Sequence, residues 1–259
     1  APGTWSDGEE FDQEKIDAWR REFREEAVKA TEERLRLLNE LEQNGQVPAQ
    51  LIRLLRKTGT STFGPEPSNL RKVKAVLRLK DSLEQSGISQ GAIAYLGSGY
   101  DWQLPVALGA RVIDMVDLEY EDAKGTLNLL ESVRELEPTA MLNTERPNEI
   151  QFEIDLGQGA EEVVLRTRGI DVKDYSPSYP LTGIVEYAGP SKGYGDGTMP
   201  VLPAVSRALN NGGLILNFDF DPTQLRLNSG LRTEIFGEFV LFKVENANAL
   251  QSAYKVASE

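Results

Sequence analysis

A five-residue apolar run, Ala92-Ile93-Ala94-Tyr95-Leu96, ends in Gly97-Ser98-Gly99, and Asp117 follows eighteen residues after Gly99 at the end of a second such run, Val112 to Val116. Short, mostly apolar runs of this kind suit strands buried on both faces of a parallel sheet. Parallel neighbours need a crossover between them, and the stretches Asp101 to Leu108 and Glu119 to Leu136 have helical character. Further strand candidates are 150–156, 163–170, 181–187 and 213–220, with a closing pair at 231–235 and 238–244 joined at Phe236-Gly237. Helices alternating with strands predict an α/β fold with a mostly parallel sheet, and the closing pair predicts an antiparallel hairpin at one edge.

The first 86 residues follow a different period. Phe11, Ile16, Trp19, Phe23, Leu35, Leu38 and Leu41 recur mostly at three- to four-residue spacing, which predicts one long charged helix capped at Ser6 and stopped by Asn44-Gly45. Its aromatic stripe is read as core or as a seam with a second copy. Two more helices are expected over 48–57 and 68–85, the latter ending at Gly87. The chain thus reads as an N-terminal helical region, 1–86, followed by an α/β domain, 87–259.

Composition narrows the chemistry. The 259 residues include no cysteine and no histidine. That removes thiolate nucleophiles, cysteine-based zinc sites, imidazole ligands and the Ser-His-Asp triad. The 41 acidic and 28 basic side chains leave a net charge of −13, which argues against general binding to nucleic acid or anionic membrane. The charge is uneven, at −1 over residues 1–91 and −12 over 92–259. Arg53, Arg56, Lys57, Arg71, Lys72, Lys74, Arg78 and Lys80 make a local basic excess, read either as a solvated helix face or as a contact for an acidic acceptor or RNA. No stretch reaches the roughly 18 apolar residues of a membrane span. A cytoplasmic protein is the simpler expectation, with Ala1 following either a removed Met or a cleaved signal.

A strand that exits into glycines lets a ligand approach the backbone, because no Cβ intervenes. An acid at the end of the next strand can accept hydrogen bonds from ribose hydroxyls, a charged contact of about 1.5–3 kcal/mol. Gly97, Ser98, Gly99, Asp101, Asp117 and Leu118 are therefore candidate cofactor-binding residues. The plainer reading makes the glycines a tight turn and Asp117 a helix cap. Glu186, at a later strand end, is a candidate proton acceptor beside Tyr187, or else a solvated strand-end acid that makes only a hydrogen bond. Residues 189–197 hold four glycines around Lys192 and Tyr194, which suits either a closing loop or a plain surface loop. Asp219 and Asp221 with Glu186 offer oxygen ligands to a divalent ion, but their spacing is unspecific and no metal is expected.

On these residues the chain resembles the class I S-adenosylmethionine-dependent methyltransferase family, over roughly Gly87 to Val244. Leu96-Gly97-Ser98-Gly99 looks like the family's first motif, and Asp117 matches its ribose-binding acid. Gly169-Ile170-Asp171 is similar to the segment where an acid meets the adenine amino group, which adds Ile170 and Asp171 to the cofactor set. Val185 to Pro190 resembles the fourth-strand motif beside the transferred methyl, and Asn211 to Leu216 the turn into the fifth strand. The resemblance implies a Rossmann-like fold, S-adenosylmethionine as cofactor, and methyl transfer to an acceptor that the sequence does not identify, such as a small molecule.

Two positions depart from the family pattern. Tyr95 stands where an acid usually precedes the first glycine, and Asp101 replaces the third glycine. A carboxylate there would repel a pyrophosphate and could pair with the cofactor's sulfonium or amine, which favours adenosylmethionine over a nicotinamide dinucleotide. Two alternatives stay open. One is a nicotinamide oxidoreductase using Tyr187 or Tyr194 with Lys192; the other is a binding module that keeps the fold without catalysis.

Overall fold

In the computed structural model, residues 13–57, 68–177, 179–186, 209–217, 231–236 and 239–244 are described. Three helices open the chain: α1 (Gln13–Asn44), α2 (Ala49–Lys57) and α3 (Ser68–Gln85). They are followed by β1 (Ala92–Leu96), α4 (Gln103–Ala107), β2 (Val112–Val116) and α5 (Ala123–Arg134). Next come β3 (Met141–Leu142), β4 (Glu149–Asp155), β5 (Ala160–Arg168), β6 (Leu181–Glu186), β7 (Leu209–Asn217), β8 (Leu231–Phe236) and β9 (Phe239–Val244).

The strands form one sheet in the order β3-β4-β5-β2-β1-β6-β7-β9-β8. The central five, from β5 to β7, are parallel, and β1 lies at their middle. The closing β8–β9 hairpin is antiparallel, with β9 against β7 and β8 at the edge. A second antiparallel flank, β3-β4-β5, adds to the expected architecture. It folds back where the Asp155 carboxylate accepts the Gly157 and Gly159 amides at 2.8 and 3.1 Å, so the strand turns without a crossover.

The helical stretch expected over 119–136 is broken in two. Asp117 and Asp122 each cap with their own side chain, the first a 3-10 turn at Leu118–Tyr120 and the second α5. Two capping acids five residues apart start two short elements rather than one long one.

One apolar core joins the helices to the sheet. Leu51, Ile52, Leu54 and Leu55 of α2 and Val73, Val76 and Leu79 of α3 pack in the same cluster as Ile93, Tyr95, Ile113 and Met115. Alternation along the strands sets this face: Tyr95 is level with Met115 on one side and Val185 on the other. Burial along α1 is confined to its later part, at Ala27, Arg34 and Leu38. Leu38 is buried, whereas Trp19 and Phe23 are 44% and 40% exposed with their rings stacked at 5.8 Å, so that stripe is not core. Ser6 and Phe11 lie outside the described residues. None of the described helices is long and apolar enough to cross a membrane.

Candidate functional site

The strand ends line up. Arg168 of β5, Val116 of β2, Leu96 of β1, Glu186 of β6 and Asn217 of β7 occupy one row of the sheet register. Every candidate site residue among the described ones lies on this row or just past it. The chain runs from β1 to β2 and β5 on one side, then crosses to β6 on the other, so the connections diverge between β1 and β6. In open α/β sheets such a divergence leaves a crevice at the carboxyl ends of the strands, where ligands sit.

The glycine turn grows out of β1. Gly97 and Ser98 donate their amides to the Val116 carbonyl at 2.9 and 3.3 Å, which binds the exit of β1 to that of β2. Gly99 has φ +49, and a Cβ built there would meet nothing within 4 Å. Glycine is used at this point for its left-handed backbone, not because neighbours crowd it. The turn is held from below by the Tyr120 hydroxyl, which donates to the Gly99 carbonyl, and the Tyr100 and Tyr120 rings meet edge to face at 5.9 Å. Burial pushes the Tyr120 hydroxyl well above the ordinary tyrosine range, so it stays a donor.

Asp117 is fixed by two amides. Gly99 N–H donates to its Oδ2 at 2.9 Å, and Glu119 N–H to its Oδ1 at 3.0 Å. The helix-capping reading is therefore correct as far as it goes, and it leaves room for the other. A carboxylate has about four acceptor positions, so two backbone bonds orient the group without exhausting it. Leu118 beside it is 53% exposed. An open cleft of about 520 Å³ is lined by Tyr100, Asp117, Leu118, Glu119 and Asn128 among others, and its acids give it a negative field.

Gly169-Ile170-Asp171 follows β5 next to this cleft. A Cβ on Gly169 would lie 2.2 Å from the Tyr120 carbonyl oxygen, so here glycine is required by close backbone approach. The Asp171 carbonyl accepts the Asp174 amide at 2.9 Å and opens a 3-10 turn, Val172–Asp174.

Asp101 is placed differently from the sequence expectation of a carboxylate awaiting a cation. Its Oδ2 accepts from Lys72 Nζ at 2.6 Å and from the Tyr95 hydroxyl at 2.8 Å. Tyr95, at the position where the family has an acid, thus reaches the acid that replaces the third glycine. The following helix, α4, has only five residues and no side-chain cap. So short a helix directs little dipole attraction at a ligand beside the turn.

Glu186 is 1% exposed at the end of β6, level with Leu96 and on the crevice side of the divergence. It is therefore not the solvated acid of the plainer reading. Tyr187, Lys192, Tyr194, Asp219 and Asp221 lie outside the described residues. Among the described residues no group of three or more acids is arranged to hold a metal.

Sequence reasoning did not identify two features of this region. Lys72 belongs to the basic helices, in which Arg56 pairs with Glu42, Lys57 with Glu135 and Lys74 with Glu33 nearer the surface. Asp114, fully buried in the middle of β2, accepts the hydroxyls of Tyr175 and Tyr179 and lies 3.7 Å from Arg168 Nε. A lone acid inside an apolar strand was a legible signal of buried polar pairing. Its partners, 61 and 65 residues away, were not.

No family model and no curated protein sequence matches the chain. Solved structures resemble it at low identity. A S-adenosylmethionine-dependent methyltransferase from Clostridium acetobutylicum ATCC 824 is 13% identical over 64% of this chain, with a TM-score of 0.38, and this chain spans 58% of its length. CalS10, an amino pentose methyltransferase from Micromonospora echinaspora with SAM bound, is 12% identical over 71% of this chain and 81% of its own, with a TM-score of 0.37. A protein from Bordetella parapertussis described as a possible exported protein is 12% identical over 75% of this chain and 78% of its own, at 0.42. All three scores fall below 0.5, so what the chain does has to be read from its own residues.

Proposed function

We propose that this chain binds S-adenosylmethionine at the carboxyl ends of β1, β2 and β5 and transfers its methyl group to an acceptor seated near Glu186. The observation that carries the reading is the Gly99–Asp117 hydrogen bond, which joins the exits of β1 and β2. It presents a bare backbone turn and an oriented carboxylate side by side. The residues fit the ligand: the space beside Gly99 is open, and Asp117 keeps acceptor capacity for two ribose hydroxyls. Ile170 and Asp171 would border the adenine, and Leu118 its ring face.

When bound, adenosylmethionine supplies an electrophilic methyl group. The chain's own share is positioning and proton handling. The glycine turn and Asp117 hold the nucleoside, so that the acceptor meets it in line, and such positioning supplies much of the acceleration in a displacement. The Glu186 carboxylate accepts the acceptor's proton as the new bond forms. Its burial in the sheet excludes competing water.

The acid-rich cleft and the five-residue α4 count against a dinucleotide, whose pyrophosphate needs a helix N-terminus and cationic partners. Calorimetric titration with adenosylmethionine, adenosylhomocysteine and NAD tests the reading. Binding of both adenosyl ligands below millimolar concentration, with none for NAD, is the expected result. Absence of both adenosyl isotherms at millimolar ligand refutes it. Adenosyl binding with no turnover across an acceptor screen would favour the non-catalytic module.

A further inference from the structure

Among the described strands, β3 and β8 form the two edges of the sheet, and they are finished differently. β3 has two residues, too few to offer a ladder to another chain. β8, Leu231-Arg232-Thr233-Glu234-Ile235-Phe236, has six, without the proline, lysine or bulge that commonly blunts an edge. Its inner side is committed to β9, from Leu231 with Val244 to Phe236 with Phe239. Two residues separate Phe236 from Phe239, and the pair that closes so short a connection is a hydrogen-bonded one. Alternation along an antiparallel ladder then commits the peptide groups of Arg232 and Glu234 to β9. It leaves those of Leu231, Thr233 and Ile235 toward the outer edge.

We infer that β8 pairs antiparallel with β8 of a second copy of this chain, about a two-fold axis at Thr233. Such an axis makes every pair occur twice, so the strand has to complement itself. Because only alternate residues turn their peptide groups outward, the axis passes through a residue and not between two. An axis at Arg232 sets two guanidinium residues opposite each other, and one at Glu234 sets two carboxylates together, both of which are destabilising. An axis at Leu231 or Ile235 leaves most of the strand unpaired. At Thr233 each Arg232 lies opposite Glu234 of the partner subunit, Thr233 lies opposite its own copy, and each Leu231 lies opposite Ile235 of the partner subunit. Opposite charges, paired threonines and paired aliphatic residues are all favourable across a ladder. The hydrogen-bonded pairs of this register are those of Leu231, Thr233 and Ile235, the residues whose peptide groups β9 does not use. Backbone and charge therefore select the same register independently. Since β8 runs parallel to β7, the two copies turn their strand ends in opposite directions, and the inference does not rest on the adenosyl reading.

Sedimentation velocity of the full chain at high micromolar concentration reads this interface. The wild-type chain is expected at twice the mass of one chain, falling to the single mass on dilution. Arg232→Glu and Glu234→Arg each set like charges opposite one another at both symmetric positions. Each should sediment as a single chain where the wild type is paired. The double variant restores opposite charges in the same register and should recover the paired mass. A wild-type chain that stays single at that concentration overturns the inference. A paired mass that survives either single substitution also overturns it, by placing the interface elsewhere, for instance on Trp19 and Phe23 of α1. A double variant that is folded by circular dichroism yet stays single does the same. Should the variants not fold, hydrogen exchange of the wild-type chain at two concentrations decides. The Leu231, Thr233 and Ile235 amides should exchange more slowly at the higher concentration, and exchange independent of concentration overturns the pairing.

Discussion

Gly99 N–H donates to Asp117 Oδ2 at 2.9 Å, and this one bond ties the exit of the first strand to the exit of the second across eighteen residues of chain. Because the other Asp117 oxygen accepts the Glu119 amide, the carboxylate is held at both ends by backbone. Its direction is set before any ligand is present, so binding does not have to order it.

Replacing Asp117 by Ala removes both the ribose acceptor and the cap of the 3-10 turn. Affinity for adenosylhomocysteine should fall about tenfold or more, and the lost cap should cost about 1 kcal/mol of stability. Titration calorimetry and urea unfolding check the two effects separately. An unchanged affinity would remove Asp117 from the site.

Glu186→Gln keeps the shape of a buried strand end and removes the base. Adenosylhomocysteine affinity should stay within threefold, while methyl transfer to any acceptor identified by screening falls by roughly 10²- to 10⁴-fold. Equal turnover by the variant would assign Glu186 a merely structural role.

The two glycines of the site should respond differently to the same small change. At Gly99 a methyl group meets open space, so Gly99→Ala carries only the backbone cost of a left-handed residue, about 1–2 kcal/mol, and its main effect is to obstruct ligand. At Gly169 the methyl would overlap the Tyr120 carbonyl, so Gly169→Ala should be the more destabilising and should shift the Tyr120 support of the turn. Denaturant midpoints that rank the variants the other way would contradict this geometry.

Alkaline pH should weaken the fold through its buried phenols. Burial pushes the Tyr120 and Tyr175 hydroxyls above the ordinary tyrosine value, with the Asp114 charge adding to the effect at Tyr175. A folded-state pKa above the unfolded one means that the unfolded chain releases the proton first as pH rises. The stability associated with the neutral phenols is then complete below about pH 10 and lost above it. Urea midpoints measured from pH 8 to 11 should fall most steeply at the upper end. Tyr120→Phe should flatten that fall, and an unaltered slope would exclude Tyr120 as a source.

The architecture was largely legible in the linear order of residues. Ala92 to Leu96 and Ser68 to Gln85 form the expected strand and helix, because apolar periodicity and flanking glycines act within a few residues of the element they shape. The same locality exposed the glycine turn and Asp117. Locality has a limit: the apolar spacing of Trp19 and Phe23 suited core or a seam with a second copy, and only the tertiary structure shows that the chain's own core does not cover them.

Sequence alone therefore determined the alternation of strands and helices, the backbone turn at Gly97–Gly99, and the acid one strand away. Tertiary structure decided how those pieces combine. It put β1 at the centre of the parallel strands, brought Glu186 level with Leu96, folded β4 back as an antiparallel flank, and joined Lys72 of the N-terminal helices to Asp101. Each of these is a pairing between residues far apart in the chain. No local periodicity encodes such a pairing, since its energy appears only once the core has brought both partners out of water.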